Sequence, residues 1–219
     1  QLPYAENLIN VMIVENQCDV PRSEIMRVLT PLGTAYFKQG TGWGEMKKPW
    51  PKEMDQWTHY LHDATGNAVA NDSRVAPPKR LRWVAAPLYC RSHEIDSSVS
   101  SVVSADGRIF YILDEGPIGI TDPRLPAKWS LVARDAFNGT ILWQREIPDW
   151  FNHLYPLKSG PANMPRRLVA VDSVVYVSGG VGHPLLALDA ATGELIHEYP
   201  GTATTVELVV SDGVIFALV

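Results

Sequence analysis

The side chains best equipped for chemistry collect in four stretches without a regular hydrophobic period. Arg91, His93, Glu94 and Asp96 stand in the first, Asp114 and Glu115 in the second, Trp150, His153 and Lys158 in the third, and His183 in the fourth. Carboxylates suit a hard cation such as calcium, imidazoles suit a softer metal, and a mixed set of this kind can also orient an anionic ligand. His93 and Asp96 lack the spacing of a recognised metal motif, and His183 stands before Pro184, where it would cap a turn. The ten residues are therefore either a binding rim or ordinary solvated loop residues, and none is assigned a catalytic role. A fifth stretch, 52–62, is expected to form a short helix with His59 and His62 on one side. With Asp63 as the only further donor at hand, that pair reads as helix-end packing rather than a metal centre.

What would position these loops is a repeat. Ala133-Arg-Asp135-Ala-Phe-Asn-Gly139-Thr-Ile-Leu-Trp143 returns as Ala187-Leu-Asp189-Ala-Ala-Thr-Gly193-Glu-Leu-Ile-His197. An Asp that caps a turn, with a Gly four residues on that is free to take positive φ, makes a tight hairpin between two short apolar strands. Around it, strands are expected at 81–84 (an outer strand), 99–103, 109–113, 131–133, 141–143, 168–171, 174–177, 185–188, 195–199, 206–210 and from Val214 to Val219. Short turns fall at Asp106-Gly107, Asp172-Ser173 and Asp212-Gly213. Four antiparallel strands every roughly 40 residues is the signature of a propeller blade. Strand direction alternates within a blade, so all the short turns share one end and the long connections share the other. Long loops gathered on one rim are where such a fold places its binding site.

Ahead of the repeat, an apolar run from Leu8 to Val14 reads as a buried strand. Pro21 opens a helix that presents Ile25, Val28 and Leu29 on one face, Pro31 stops it, and 34–37 is a second strand. Strand, helix and strand make a βαβ unit. Gly40-Thr-Gly42-Trp-Gly44 is expected to be a loop, and Lys47-Lys-Pro49-Trp-Pro51 an extended linker. The expected division is thus an α/β remnant over 1–45, a linker over 46–78 and β-propeller blades over 79–219. The fold class is mainly β: an incomplete propeller of two to three four-stranded antiparallel blades, preceded by the small βαβ remnant.

Two resemblances follow from these motifs. The repeats resemble the blades of quinoprotein dehydrogenases that bind pyrroloquinoline quinone, and of related propellers that carry no quinone. Ala133, Asp135, Gly139 and Trp143 fit that family's tryptophan docking pattern, and Ala187, Asp189 and Gly193 fit it with His197 in the place of Trp. The resemblance implies a structural role, the aromatic packing between neighbouring blades. Residues 1–45 resemble the late part of a class I S-adenosylmethionine-dependent methyltransferase, with Asn10 where that family usually has Asp. Its cofactor site would lie upstream of Gln1. The order of the modules is similar to that of very large multidomain bacterial proteins.

The composition bounds the partners. With 219 residues, 46% hydrophobic and 20% charged, the chain can bury a core. A net charge of −5 supplies no basic field for nucleic acid, and no apolar run is long enough for a membrane helix. Cys18 and Cys90 fall in different modules, which argues against a disulfide. Both ends read as cut, since the chain opens on Gln1 and stops inside an apolar run, so the expected partners include further blades and an upstream methyltransferase half of the same chain. Expressed alone, such a chain is expected to self-associate through an open sheet edge. Three functions compete. One is a non-catalytic propeller that binds a protein or small molecule on its long-loop face. The second is a quinone-dependent oxidoreductase, which would need calcium held by carboxylate and amide beside an Asp base, and whose family's adjacent cysteine pair is missing here. The third is methyl transfer, which would depend on the upstream half. Periplasmic and cytoplasmic locations are both open.

Overall fold

The computed structural model describes residues 1–15, 19–74, 77, 81–86, 98–118, 125–151 and 162–219. They divide into two units: Gln1–Asp55, Asn71–Val84 and Ala136–Gly139 in one, and Gln56–Ala70, Ala85–Asp135 and Thr140–Val219 in the other.

The first unit is built on β1 (Ile9–Val14), α1 (Arg22–Val28), β2 (Leu29–Gln39) and β3 (Gly42–Lys47). β1 runs parallel to β2, with α1 as the crossover, and β3 pairs antiparallel to the far edge of β2. α1 starts without a side-chain cap at Pro21. Arg27 donates to Glu24 through Nε at 2.8 Å and Nη2 at 2.7 Å, which holds the Glu24 carboxyl down to about 2. Ile25 and Leu29 meet Ala35, Met12 and Phe37 in a small apolar core. The expected loop at Gly40–Gly44 is instead the turn and first half of β3. Gly40 takes φ +60, while Gly42 and Gly44 pair with Gln39 and Phe37, so the open edge of β2 orders residues whose own propensity is to break a strand.

Among the described residues, the second unit contains three antiparallel sheets. The first consists of β4 (Val99–Ala105), β5 (Arg108–Asp114), β6 (Trp129–Asp135) and β7 (Ile141–Glu146), paired in that order. After a 3₁₀ turn at Met164–Arg167 comes the second, with β8 (Leu168–Val171), β9 (Val174–Ser178), β10 (Leu185–Asp189) and β11 (Leu195–Tyr199). The third is the pair β12 (Glu207–Ser211) and β13 (Val214–Leu218). The two four-stranded sheets are blades of an incomplete propeller. At the hairpins, Asp106 and Gly107, and again Asp212 and Gly213, both take positive φ, the primed turn that matches strand twist.

Side-chain alternation stacks the sheets. Val103, Phe110, Ile112 and Leu131 of the first sheet share one core with Leu168, Val175, Val177 and Leu188 of the second. From the opposite face of the second sheet, Val169 and Leu185 pack with Leu208 and Val210 of the third. β8 is buried on both faces, which explains its unbroken apolar sequence. Each such side chain contributes about 1.5–3 kcal/mol on burial.

The stretch expected to be a helix over 52–62 is not helical. Residues 57–59 run extended across the first strand of each sheet. Ser104 N–H donates to Trp57 O (2.7 Å), Ala170 N–H to Thr58 O (2.9 Å) and Val210 N–H to the His59 ring (3.1 Å). Each donor stands two residues before the Asp of its hairpin turn, so three equivalent amides meet three successive residues of one strap. Helical hydrogen bonding would leave those amides orphaned, which is why the extended form wins. His62 then takes φ +72 and its carbonyl accepts from His59 N–H, closing the strap on itself. The outer strand expected at 81–84 is likewise absent, although Trp83 keeps a defined role described below.

Candidate functional site

Antiparallel order puts the β4–β5, β6–β7, β8–β9, β10–β11 and β12–β13 turns at one end of the sheets. The connections after β5, β7, β9 and β11 fall at the other. Of the rim candidates, Asp114, Glu115, Trp150 and His183 are among the described residues, and Trp150 is wholly buried. His93, Glu94 and Asp96 lie outside them, as do Arg91, His153, Lys158, Cys18 and Cys90.

Asp114 and Glu115 fasten the connection after β5. Asp114 is buried, and one of its carboxylate oxygens accepts from Gly116 N–H (2.8 Å) and Lys128 N–H (3.0 Å). Glu115 accepts from Ser130 Oγ (2.8 Å) and Gln144 Nε2 (2.7 Å). Both line a cavity of about 310 Å³ that also meets Tyr111 and Arg134. His183 is exposed and lines a different cavity of about 190 Å³ with Arg145, Glu146 and Glu198. Among the described residues, no three His, Cys, Asp or Glu come together as a metal centre.

The docking-motif residues fall on the short-turn end. Ala133 is buried opposite Trp143 across the β6–β7 ladder, and Ala187 is buried opposite His197. One Asp189 oxygen accepts from Ala191 N–H, Thr192 N–H and Thr192 Oγ, and the Thr192 and Ala191 bonds hold its carboxyl below the usual range. The Trp143 indole of the first blade lies against Gly193 of the second and donates through Nε1 to Ala190 O at 3.1 Å. A Cβ at Gly193 would stand 2.7 Å from that ring, and its φ of +74 also demands glycine. In the first unit, Trp83 meets Gly139 in the same way and donates to Ala136 O at 3.0 Å. Asp135 N–H donates to Thr140 O across the other copy of the turn. Nothing ahead of Trp83 spells the motif, so its docking was hidden from sequence reading.

The imidazole of His59 is wholly engaged. Nε2 accepts from Val210 N–H, so the proton sits on Nδ1 and is directed to Thr58 Oγ at 2.8 Å, whose own hydroxyl reaches His62 O. Burial lowers the His59 pKa and keeps the ring neutral. No lone pair is left to ligate a metal.

A buried cation was missed by the sequence reading. Arg167, at the end of the 3₁₀ turn that leads into β8, is 9% exposed, and its guanidinium carbon lies 4.2 Å from the centre of the Trp150 ring. Its Nη2 donates to Trp150 O. Burial alone lowers its pKa to about 10. Arg167 Nε and Trp150 Nε1 are both buried without an acceptor. The available signal was a basic residue abutting the fully apolar β8.

No family model and no curated protein matches the chain. Among solved structures, a chain described as "Europium-containing methanol dehydrogenase" is similar, with a TM-score of 0.46 and 13% identity over 75% of this chain and 27% of that one. The chain thus spans little more than a quarter of that protein's length.

Proposed function

We propose that the second unit is a non-catalytic scaffold, a propeller region of a larger protein that binds a ligand or partner on its long-loop end. The observation that carries this reading is the division of labour between the two ends. The short-turn end is closed by Trp143 on Gly193, while the long-loop end holds Arg167, a buried cation with no carboxylate beside it among the described residues. A cation kept in that state has a use in recognition that it lacks in packing.

The alternative, a quinone-dependent dehydrogenase, would need calcium bound by carboxylates of the long loops. The described residues do not fit that need, because the carboxylates of Asp114 and Glu115 already accept bonds that hold their own connection in place. Incubation with pyrroloquinoline quinone and calcium, followed by absorbance and dye reduction, separates the two readings. The scaffold reading expects no retained chromophore and no dye reduction, and a stoichiometric chromophore with turnover would overturn it.

For the first unit, we propose the tail of a class I methyltransferase-like domain, supported by the parallel β1–β2 pair, its helical crossover and the antiparallel β3. A Gly-rich loop after a strand ahead of Gln1 is the feature to look for, and its absence from the full reading frame would sink this assignment.

A further inference from the structure

We propose that Arg167 and Trp150 form a binding site for a small oxyanion, the carboxylate or phosphate group of a ligand, at the long-loop end of the second blade. This rests on the scaffold reading and gives its ligand a chemical class. The chain pairs the neighbouring cation, since Arg166 Nη1 meets Glu207 at 2.5 Å, yet it leaves Arg167 to the face of an indole. A cation–π contact offsets only part of the cost of taking a guanidinium out of water. Nη2 has the Trp150 carbonyl, but Nε and the indole Nε1 have no acceptor, and both are shut off from solvent.

The two orphaned groups are both donors, and the charge beside them is positive. What completes them must accept hydrogen bonds and carry negative charge. A water molecule can accept two bonds, but it would bring two protons of its own to be satisfied and leave the charge of Arg167 unanswered. An oxyanion meets all three demands, and the planar edge of guanidinium is shaped for two oxygens of one carboxylate or phosphate. The stack on Trp150 and the bond from Nη2 hold that edge in place before any ligand arrives, so little side-chain entropy is lost on binding.

The test is thermal unfolding and titration calorimetry of the whole chain in sodium phosphate and in sodium acetate, at fixed pH, with sodium chloride as the ionic-strength control. The expected result is a saturable rise in unfolding temperature with phosphate or acetate that chloride does not reproduce. Arg167→Met is expected to lose that response. In the anion-free buffer it should unfold no earlier than the wild type, because the uncompensated charge is gone. Trp150→Phe keeps the ring but not its N–H and should bind roughly tenfold more weakly. Arg167→Lys keeps a charge without the planar edge and should also lose roughly tenfold or more. A wild-type chain with no saturable response overturns the proposal. So does an unchanged response in Arg167→Met or in Arg167→Lys, and so does an Arg167→Met chain that fails to fold, since Arg167 would then belong to the core. Failure here with no quinone retained leaves the scaffold standing without its anion, whereas dye reduction removes the scaffold itself.

Discussion

His59 is neutral because its Nε2 must accept the Val210 amide while its Nδ1 donates to Thr58. Its pKa in the folded chain is lowered by burial, against the pull of the Asp63 carboxylate, while the unfolded chain titrates near 6.5. The unfolded state therefore binds more protons just below that value. His59's contribution to stability is full above about pH 6.5, falls as the pH drops beneath it, and levels off once the folded ring is also protonated. Denaturant titrations from pH 8 to 5 should show this loss. His59→Gln, whose side-chain oxygen can accept from Val210, should flatten it at little cost. His59→Leu should cost about 1–3 kcal/mol above about pH 6.5 by leaving that amide unpaired, and less below it, where the wild type has lost part of the His59 contribution. Asp189, with its carboxyl pKa depressed by the Thr192 and Ala191 amides, adds stability above its usual carboxylate range that disappears as the pH falls through its lowered value. Asp189→Ala should remove that acid-sensitive component.

Hairpins were legible in the sequence where the strands were not fully so. Asp106-Gly107 and Asp212-Gly213 announce turns by local chemistry, and β8 and β11 run over 168–171 and 195–199, the bounds expected from the repeat. The strap was not legible, because its conformation is dictated by Ser104, Ala170 and Val210, and the nearest of these is 47 positions away from its partner. Lys52–His62 looked helical for want of those amides. β3 was hidden for a similar reason, its glycines being held by the edge of β2. Of the rim, Asp114, Glu115, Trp150 and His183 have a described place; the first two are fasteners and Trp150 is buried against Arg167. Arg167 escaped because burial, not residue type, makes it unusual. The blade seam gives the test at this scale. Trp143→Ala should cost about 3 kcal/mol, and Gly193→Val about 1–3 kcal/mol through its positive φ and its clash with the indole. Both should appear as a lower denaturant midpoint with far-UV dichroism retained, and together they should fall short of additive because they break one contact.

At the scale of the whole molecule, one apolar face that is left uncovered lies on the third sheet of the second unit. Val214, Phe216 and Leu218 share one face of β13 and are 50%, 59% and 59% exposed, while Ile215 turns inward to the core beneath. Contiguous apolar surface of this kind marks a place where another surface packs. Sedimentation of the chain should therefore show concentration-dependent association, which Phe216→Glu should reduce, and an ideal monomer at all concentrations would contradict it. The strap has a separate effect on the history of the molecule. Its third rung joins His59 to an amide 151 positions further along the chain. At the usual pace of translation that is a wait of roughly 8–30 s, during which the nascent strap emerges from the ribosome with its last partner still unmade. Local hairpins can form as they appear, but this closure has a high contact order and must come last, so a chaperone that shields Trp57 from early, wrong partners would speed maturation more than one that acts on any single blade.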